Sequence, residues 1–345
     1  MSYKTSWMCL KFSAALVFML FLHSTYGQSN FAGVTELLGD KKQLAGGNAS
    51  AIIWKDSGII YRKDTGSLKL GKAEVQVPIG AASRWLTVAL VMTFVDEGKL
   101  SLDDRVSDYI PVFKSYSKGY ITIRQCLANT TGIEAERAAK LAQKKKFETL
   151  EEEVNYYAAH YDIVNNPGKD FFYGNSGINI AGRVLEVISK RKTFDRLMSE
   201  RIIKPLGMKK TTFLPETGSL DPATGARSIA SDYVRLLAMY LNKGVLNGKR
   251  ILSEKSVEEI HKMQITSEVI KYTPKIMEGS SYGLGVFLEE GGKVWNCPSF
   301  TGSWVFIDTC GKYACVLFTP LLTGEPKKDF YLKVKEAIDV QIGCR

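Results

Sequence analysis

Short apolar runs bounded by turn residues stand towards both ends of the chain, with mostly helical patterns between them. Ala51-Ile-Ile-Trp54, the polar Lys55-Asp56-Ser57-Gly58 and Ile59-Ile60-Tyr61 predict two strands around a turn. A short helical stretch, Val34 to Leu44, precedes this hairpin. Strand-like runs return only near the other end, over Tyr282 to Leu288, Trp304 to Ile307 and Ala314 to Phe318. An amphipathic helix from Asp329 to Ile342 follows them. N- and C-terminal strands are therefore expected to share one antiparallel sheet. Between them, Trp85 to Val95 is apolar on every face, which suits a buried central helix, and Gly98 ends it. Further helices are expected at Thr122 to Ala128, Leu150 to His160, Gly177 to Ser189, Thr193 to Ile203 and Ser231 to Leu241. Internal repeats and low-complexity tracts are absent.

The first 27 residues change this picture. Lys4 and Lys11, an apolar run from Phe12 to Leu22 and the small-residue exit Thr25-Tyr26-Gly27 have the pattern of a cleavable signal peptide. Their apolar run is about half of what a membrane span needs, so residues 28–345 are expected as one exported body with no membrane span. Its sheet parts are expected at about 28–80 and 245–345, and a mostly helical subdomain at about 81–244.

Charge narrows the partners. The net charge of +10 becomes +8 once Lys4 and Lys11 leave, a moderately basic surface suited to anions. The Lys144-Lys145-Lys146 cluster runs straight into Glu148, Glu151, Glu152 and Glu153, the pattern of a solvated mixed-charge helix, so nucleic acid is not an expected partner. Beyond the signal there remain five cysteines, Cys126, Cys297, Cys310, Cys315 and Cys344, and two histidines, His160 and His261. No Cys/His spacing suits zinc, and neither a metal nor another cofactor is expected. Cys310 and Cys315 flank Gly311-Lys312-Tyr313 between strand-like runs and are expected to bond across a hairpin, leaving at least one other thiol free or paired with another chain. The sequons Asn48-Ala-Ser50 and Asn129-Thr-Thr131 are candidate glycosylation sites.

Eight short stretches, taken in order, carry a resemblance: Trp54-Lys-Asp-Ser-Gly58, Gly98-Lys-Leu-Ser-Leu-Asp-Asp-Arg-Val106 and Ile121-Thr-Ile-Arg-Gln-Cys-Leu-Ala-Asn-Thr-Thr-Gly132, then Phe172-Tyr-Gly-Asn-Ser-Gly177, Lys204-Pro-Leu-Gly-Met208, Ser228-Ile-Ala-Ser-Asp232, Tyr282-Gly-Leu-Gly285 and Phe300-Thr-Gly-Ser303. Together they resemble the serine β-lactamase and penicillin-binding-protein family with its related esterases, over nearly all of residues 28–345. The resemblance implies an α+β, transpeptidase-like fold with an antiparallel sheet flanked by helices and an inserted helical subdomain.

The family's chemistry needs a serine at the head of the buried helix and a lysine three residues on, within one helical turn. The register places Ala81 and Arg84 there. Alanine offers no nucleophile, and a guanidinium stays protonated. Loss of a nucleophile costs on the order of a million-fold in turnover. Ser83 lies about 200° around the helix from Ala81, so its hydroxyl is expected to point elsewhere. Tyr173-Gly174-Asn175 keeps the family's tyrosine-x-asparagine, whose hydrogen bonds are expected to fix the subdomain junction. Arg84 beside Tyr173 would be the cation able to depress the phenol's pKa. The third motif, Lys or His, then Thr or Ser, then Gly, falls on Cys297-Pro298-Ser299, where Pro298 removes a donor from the strand edge. Cys297 is expected in a disulfide.

These departures lead us to expect a secreted, non-catalytic relative with a structural or binding role. Secreted β-lactamase-like proteins of calcified shell matrix are an analogue it resembles in outline. Its partners would be acidic extracellular polymers, mineral-associated anions or other matrix proteins. Arg84, Tyr173 and Asn175 are candidate contacts for a small carboxylate or peptide terminus. The competing expectation is a divergent hydrolase or esterase working through Ser83, Cys297 or a bound water.

Overall fold

A computed structural model describes residues 31–40, 44, 47–66, 75–134, 146–190, 192–215, 218–300 and 302–343. The expected signal segment, Cys9, Lys144, Lys145 and Cys344 lie outside the described residues.

The hairpin forms as expected. Strands β1 (Ala49–Lys55) and β2 (Gly58–Thr65) meet at Asp56 and Ser57, both at positive φ, the backbone that matches strand twist in a tight turn. The C-terminal strands are β3 (Ser281–Tyr282), β4 (Phe287–Glu289), β5 (Val294–Pro298), β6 (Ser303–Asp308) and β7 (Tyr313–Phe318). All seven make one antiparallel sheet in the order β2-β1-β7-β6-β5-β4-β3, with Ile53 opposite Cys315 where the chain's two ends meet. The expected strand Tyr282 to Leu288 divides into β3 and β4, because Gly285 takes a positive φ between them.

Both faces of this sheet are covered, so every residue of β6 and β7 is buried. Ile52, Val305, Ile307 and Val316 face the large core around the central helix α2 (Ser83–Asp96). Ile53, Trp304, Phe306, Cys315 and Leu317 face a second layer made by α1 (Ala32–Gly39) and the terminal helix α8 (Gly324–Ile342). That last helix starts five residues before the expected Asp329, with Pro326 in its first turn where no N–H is needed.

All residues of α2 from Ser83 to Phe94 are buried, as its uniform apolarity required. The carbonyls of Ala82, just before α2, and of Trp85, in its first turn, also accept from α6 (Ala230–Leu241): Tyr233 Oη donates to Ala82 O at 2.6 Å and Tyr240 Oη to Trp85 O at 2.7 Å. The helical part also contains α3 (Ile123–Leu127), opened by a Thr122/Gln125 capping box, α4 (Leu150–His160), α5 (Ser176–Ile188) and α7 (Glu254–His261). The expected helix Thr193 to Ile203 is α-helical only over Phe194–Met198 and widens to a π turn over Ser199–Ile203. Among the described residues no helix is long and apolar enough to cross a membrane.

Two expectations fail on burial and register. Cys315 is a free, buried thiol in the middle of β7, opposite Phe306, so it does not bond Cys310. Cys310 lies in the turn beyond the Asp308/Tyr313 pair and is itself disulfide-bonded. Asn129, the second sequon, is buried, with its Nδ2 donating to Tyr282 Oη at 3.0 Å and its Oδ1 accepting from Gly174 N at 3.3 Å. A glycan on that nitrogen would have to displace the Tyr282 contact of a residue only 5% exposed, so the fold as described disfavours Asn129 as an acceptor. Asn48, just before β1, is only partly buried.

Candidate functional site

Gly80 at positive φ opens a single 3-10 turn, Gly80–Ala82, that runs into α2 and places Ala81 at the head of the buried helix. Ala81 is nearly covered, and the backbone at this point is tied on one side to β5 and on the other to the residue that follows it. Ala81 N donates to Ser299 Oγ at 3.1 Å, and Cys297 Sγ donates to Ala81 O at 3.1 Å. Ser303 Oγ adds a bond to Ile79 O at 2.7 Å. Residue 81 and the Cys297-Pro298-Ser299 stretch, where the resemblance sets the first and third motifs, thus converge on one spot.

Arg84 lies one turn along α2 and is fully buried. Its Nη1 donates to Gly174 O at 2.9 Å, its Nη2 donates to Asn175 Oδ1 at 2.5 Å, and its guanidinium carbon sits 4.4 Å from the centre of the Tyr173 ring. Nε has no partner. These contacts join α2 to the entry of α5, the junction role expected of Tyr173 and Asn175. Burial works against the Arg84 charge, yet the surrounding acidic groups, Tyr173 first and then Tyr282, Cys297 and Asp221, hold its pKa above the ordinary value. It remains a cation. Because it is sealed beneath Tyr173 and Asn175, Arg84 is not an accessible ligand contact as expected, whereas Asn175 is exposed and Tyr173 partly so.

Tyr173 is not activated. Burial raises its pKa more than Arg84 lowers it, leaving it pushed up to about 12, the reverse of the depression that the neighbouring cation suggested. Ser83 is also committed, its Oγ accepting from Ala226 N at 3.0 Å inside the core. That agrees with its expected direction away from residue 81.

Cys297 is a free thiol, not the disulfide partner expected, and burial pushes its pKa up to about 12. A thiol so placed is a poor nucleophile at neutral pH. Iodoacetamide at pH 8 is expected to leave Cys126, Cys297 and Cys315 unmodified in the folded protein and to modify all three after unfolding. Peptide mass mapping reads this directly, and native modification of Cys297 would show that β5 opens.

Residues 297 and 298 run past the last β4 pair, Phe287 with Asn296, so on that side they form a free strand edge. Pro298 removes a donor from it. A residue that the motifs do not reveal completes this wall: Lys327 of α8, almost fully buried, whose Nζ donates to Ser303 O at 2.6 Å and to Ser299 O. Burial depresses its pKa to about 7, and among the described residues no carboxylate pairs with it. Among the described residues, no group of three or more His, Cys, Asp or Glu side chains converges to hold a metal ion.

A seven-stranded antiparallel sheet with α2 buried against it, and motif residues meeting at the helix head, define a serine β-lactamase and penicillin-binding-protein type of fold. The chain belongs to the Beta-lactamase family of serine hydrolases, whose family model matches residues 38–337. Protein flp of Staphylococcus aureus (strain MW2) is 28% identical over 173 residues, 48% of this chain and 34% of that protein, so the match spans about a third of the relative's length. The solved structure of EstCE1, a hydrolase with promiscuous acyltransferase activity, aligns with a TM-score of 0.74 at 19% identity, covering 90% of this chain and 98% of that one. The octameric penicillin-binding protein homologue from Pyrococcus abyssi aligns with a TM-score of 0.72 at 20% identity, covering 90% of this chain and 76% of that one. At such identities these structures are similar in fold alone.

Proposed function

We propose that this chain is an exported member of the Beta-lactamase family that has lost acyl-transfer chemistry and serves a structural or binding role, with a calcified extracellular matrix as its setting. The observation that carries this reading is the alanine at residue 81, where the family's nucleophile belongs, beside an arginine that cannot serve as its base. The internal commitments of Ser83 and Cys297 support it, because neither offers a substitute hydroxyl or thiolate. Export rests on the leader pattern of residues 1–27, and anionic matrix partners on the net charge of +8 beyond it.

Two measurements test the reading. Purified protein is expected to hydrolyse nitrocefin and p-nitrophenyl butyrate at the buffer rate. Turnover abolished by Ser83→Ala or Cys297→Ala would replace this reading with a divergent hydrolase, the activity class that EstCE1's description names for that relative. Proteomics of the source tissue is expected to find the chain in the insoluble extracellular fraction. Recovery only from soluble secretion would remove the matrix role.

A further inference from the structure

We propose that Cys297-Pro298-Ser299 is an internal plug whose Ser299 hydroxyl occupies the backbone amide of residue 81, so that restoring a nucleophile there is not enough to restore acylation. The inference rests on the reading that the wild-type site is silent, and adds which contact keeps it closed.

Acyl transfer to a side chain at residue 81 would place the developing oxyanion among fixed N–H donors, and the amide of residue 81 itself is the donor next to the attacking atom. In this chain that amide already donates to Ser299 Oγ at 3.1 Å. A substrate carbonyl would have to displace a hydroxyl carried on a short side chain, and the hydroxyl has little room to retreat, since Ser299 is only 2% exposed. The surrounding contacts hold it there. Cys297 Sγ binds Ala81 O on the same peptide wall, and Ser299 N donates to Ser303 O at 2.8 Å, which closes the turn.

Lys327 fastens the turn from behind through the carbonyls of Ser299 and Ser303. Beyond the turn, Thr319 N and Oγ1 both donate to Gly302 O, at 2.7 and 3.0 Å. Gly302 is at positive φ, and a Cβ there would lie 2.3 Å from Thr319 O, so the turn is packed against β7's exit. Phe300 at the tip is 69% exposed while its neighbour Ser299 is buried, so the inward serine is a feature of the turn's base. The related family carries glycine at this third position, so Ser299→Gly returns the turn to a residue that such a turn accommodates, and removes only the hydroxymethyl group.

The test compares wild type, Ser299→Gly, Ala81→Ser/Arg84→Lys and Ala81→Ser/Arg84→Lys/Ser299→Gly, all checked for cooperative melting. Each is incubated with nitrocefin and its intact mass is followed. In an acylated protein the introduced serine oxygen bonds to the lactam carbonyl carbon. The lactam C–N bond opens, and the hydroxyl proton passes by way of the introduced lysine to the lactam nitrogen. The double variant is expected to gain adduct no faster than wild type, and the triple variant at least tenfold faster, with the adduct mapped to residue 81. A triple variant no faster than the double overturns the plug, whether both are slow or both are fast. Adduct on wild type would instead overturn the silent-site reading under which the plug was inferred. Amide hydrogen exchange in the single variant gives a readout that needs no catalysis: the Ala81 amide is expected to exchange at least tenfold faster in Ser299→Gly than in wild type. Unchanged exchange also overturns the plug.

Discussion

Gly177→Ala is expected to destabilise the protein by about 3 kcal/mol, the upper end for forcing one methyl group into a packed interior. Gly177 is the last residue of the Phe172-Tyr-Gly-Asn-Ser-Gly177 stretch and lies in the first turn of α5. Its φ is ordinary, so conformational freedom is not why glycine stands there. A Cβ would lie 2.3 Å from the carbonyl oxygen of Cys126 and 3.0 Å from its Cα, so α3 and α5 cross backbone to backbone. No flexible side chain can give way, and the helices would have to separate. Because Gly174 and Asn175 lie just upstream, the separation would also pull on both hydrogen bonds from Arg84. Denaturant midpoints read the loss, with Gly39→Ala as the control, since a Cβ there meets nothing within 4 Å. Equal midpoints for the two variants would mean that the crossing is looser than described.

Lys335→Met is expected to cost about 3–5 kcal/mol, the range for breaking a buried ion pair by removing one partner. On α8, Lys335 Nζ lies 2.9 Å from Asp308 and 2.7 Å from Asp339, and the Asp308 side chain is only 2% exposed. Asp308 also accepts from Gly311 N at 2.7 Å, and Tyr313 Oη donates to Asp339 at 2.7 Å, so one cation joins the terminal helix to the β6/β7 turn. Burial opposes the charge, but bonds to Asp339 and Asp308 outweigh it and raise the Lys335 pKa above 10.5. A raised folded pKa means that the contribution is complete below the unfolded value and is lost only as pH rises through the folded one. The full loss is therefore expected at pH 7, read from denaturant midpoints. Lys335→Met/Asp308→Asn is expected to recover part of it, because the stranded charge goes too. A double variant as weak as the sum of the two singles would show that packing, not charge, is what Lys335 supplies.

Much of the candidate site was legible once the motifs were read in order. Ala81, Arg84, Tyr173 and Asn175 were placed by the resemblance of short stretches to the family's motifs, which are contiguous in sequence and so can be matched without tertiary knowledge. The expectations that failed concern partners and burial. The presence of Asn129 in a sequon says nothing of Tyr282, 153 residues away, which takes its amide. The spacing of Cys310 and Cys315 suggested a hairpin bridge, and the hairpin is real. The register of β7 nevertheless turns Cys315 into the core opposite Phe306.

The sequence alone determined the elements: short apolar runs bounded by turn residues for β1 and the C-terminal strands, an all-round apolar run for α2, and a side chain without a hydroxyl at residue 81. These follow from local periodicity and side-chain chemistry, which need only neighbouring residues. The tertiary structure alone decided that Ser299 caps the Ala81 amide from 218 positions away, that Lys327 comes from the terminal helix to fasten that turn, and that Arg84 is sealed. Such contacts join single side chains across long separations, and no period in the chain encodes them. They arise only when the sheet brings both ends of the polypeptide against the head of one buried helix.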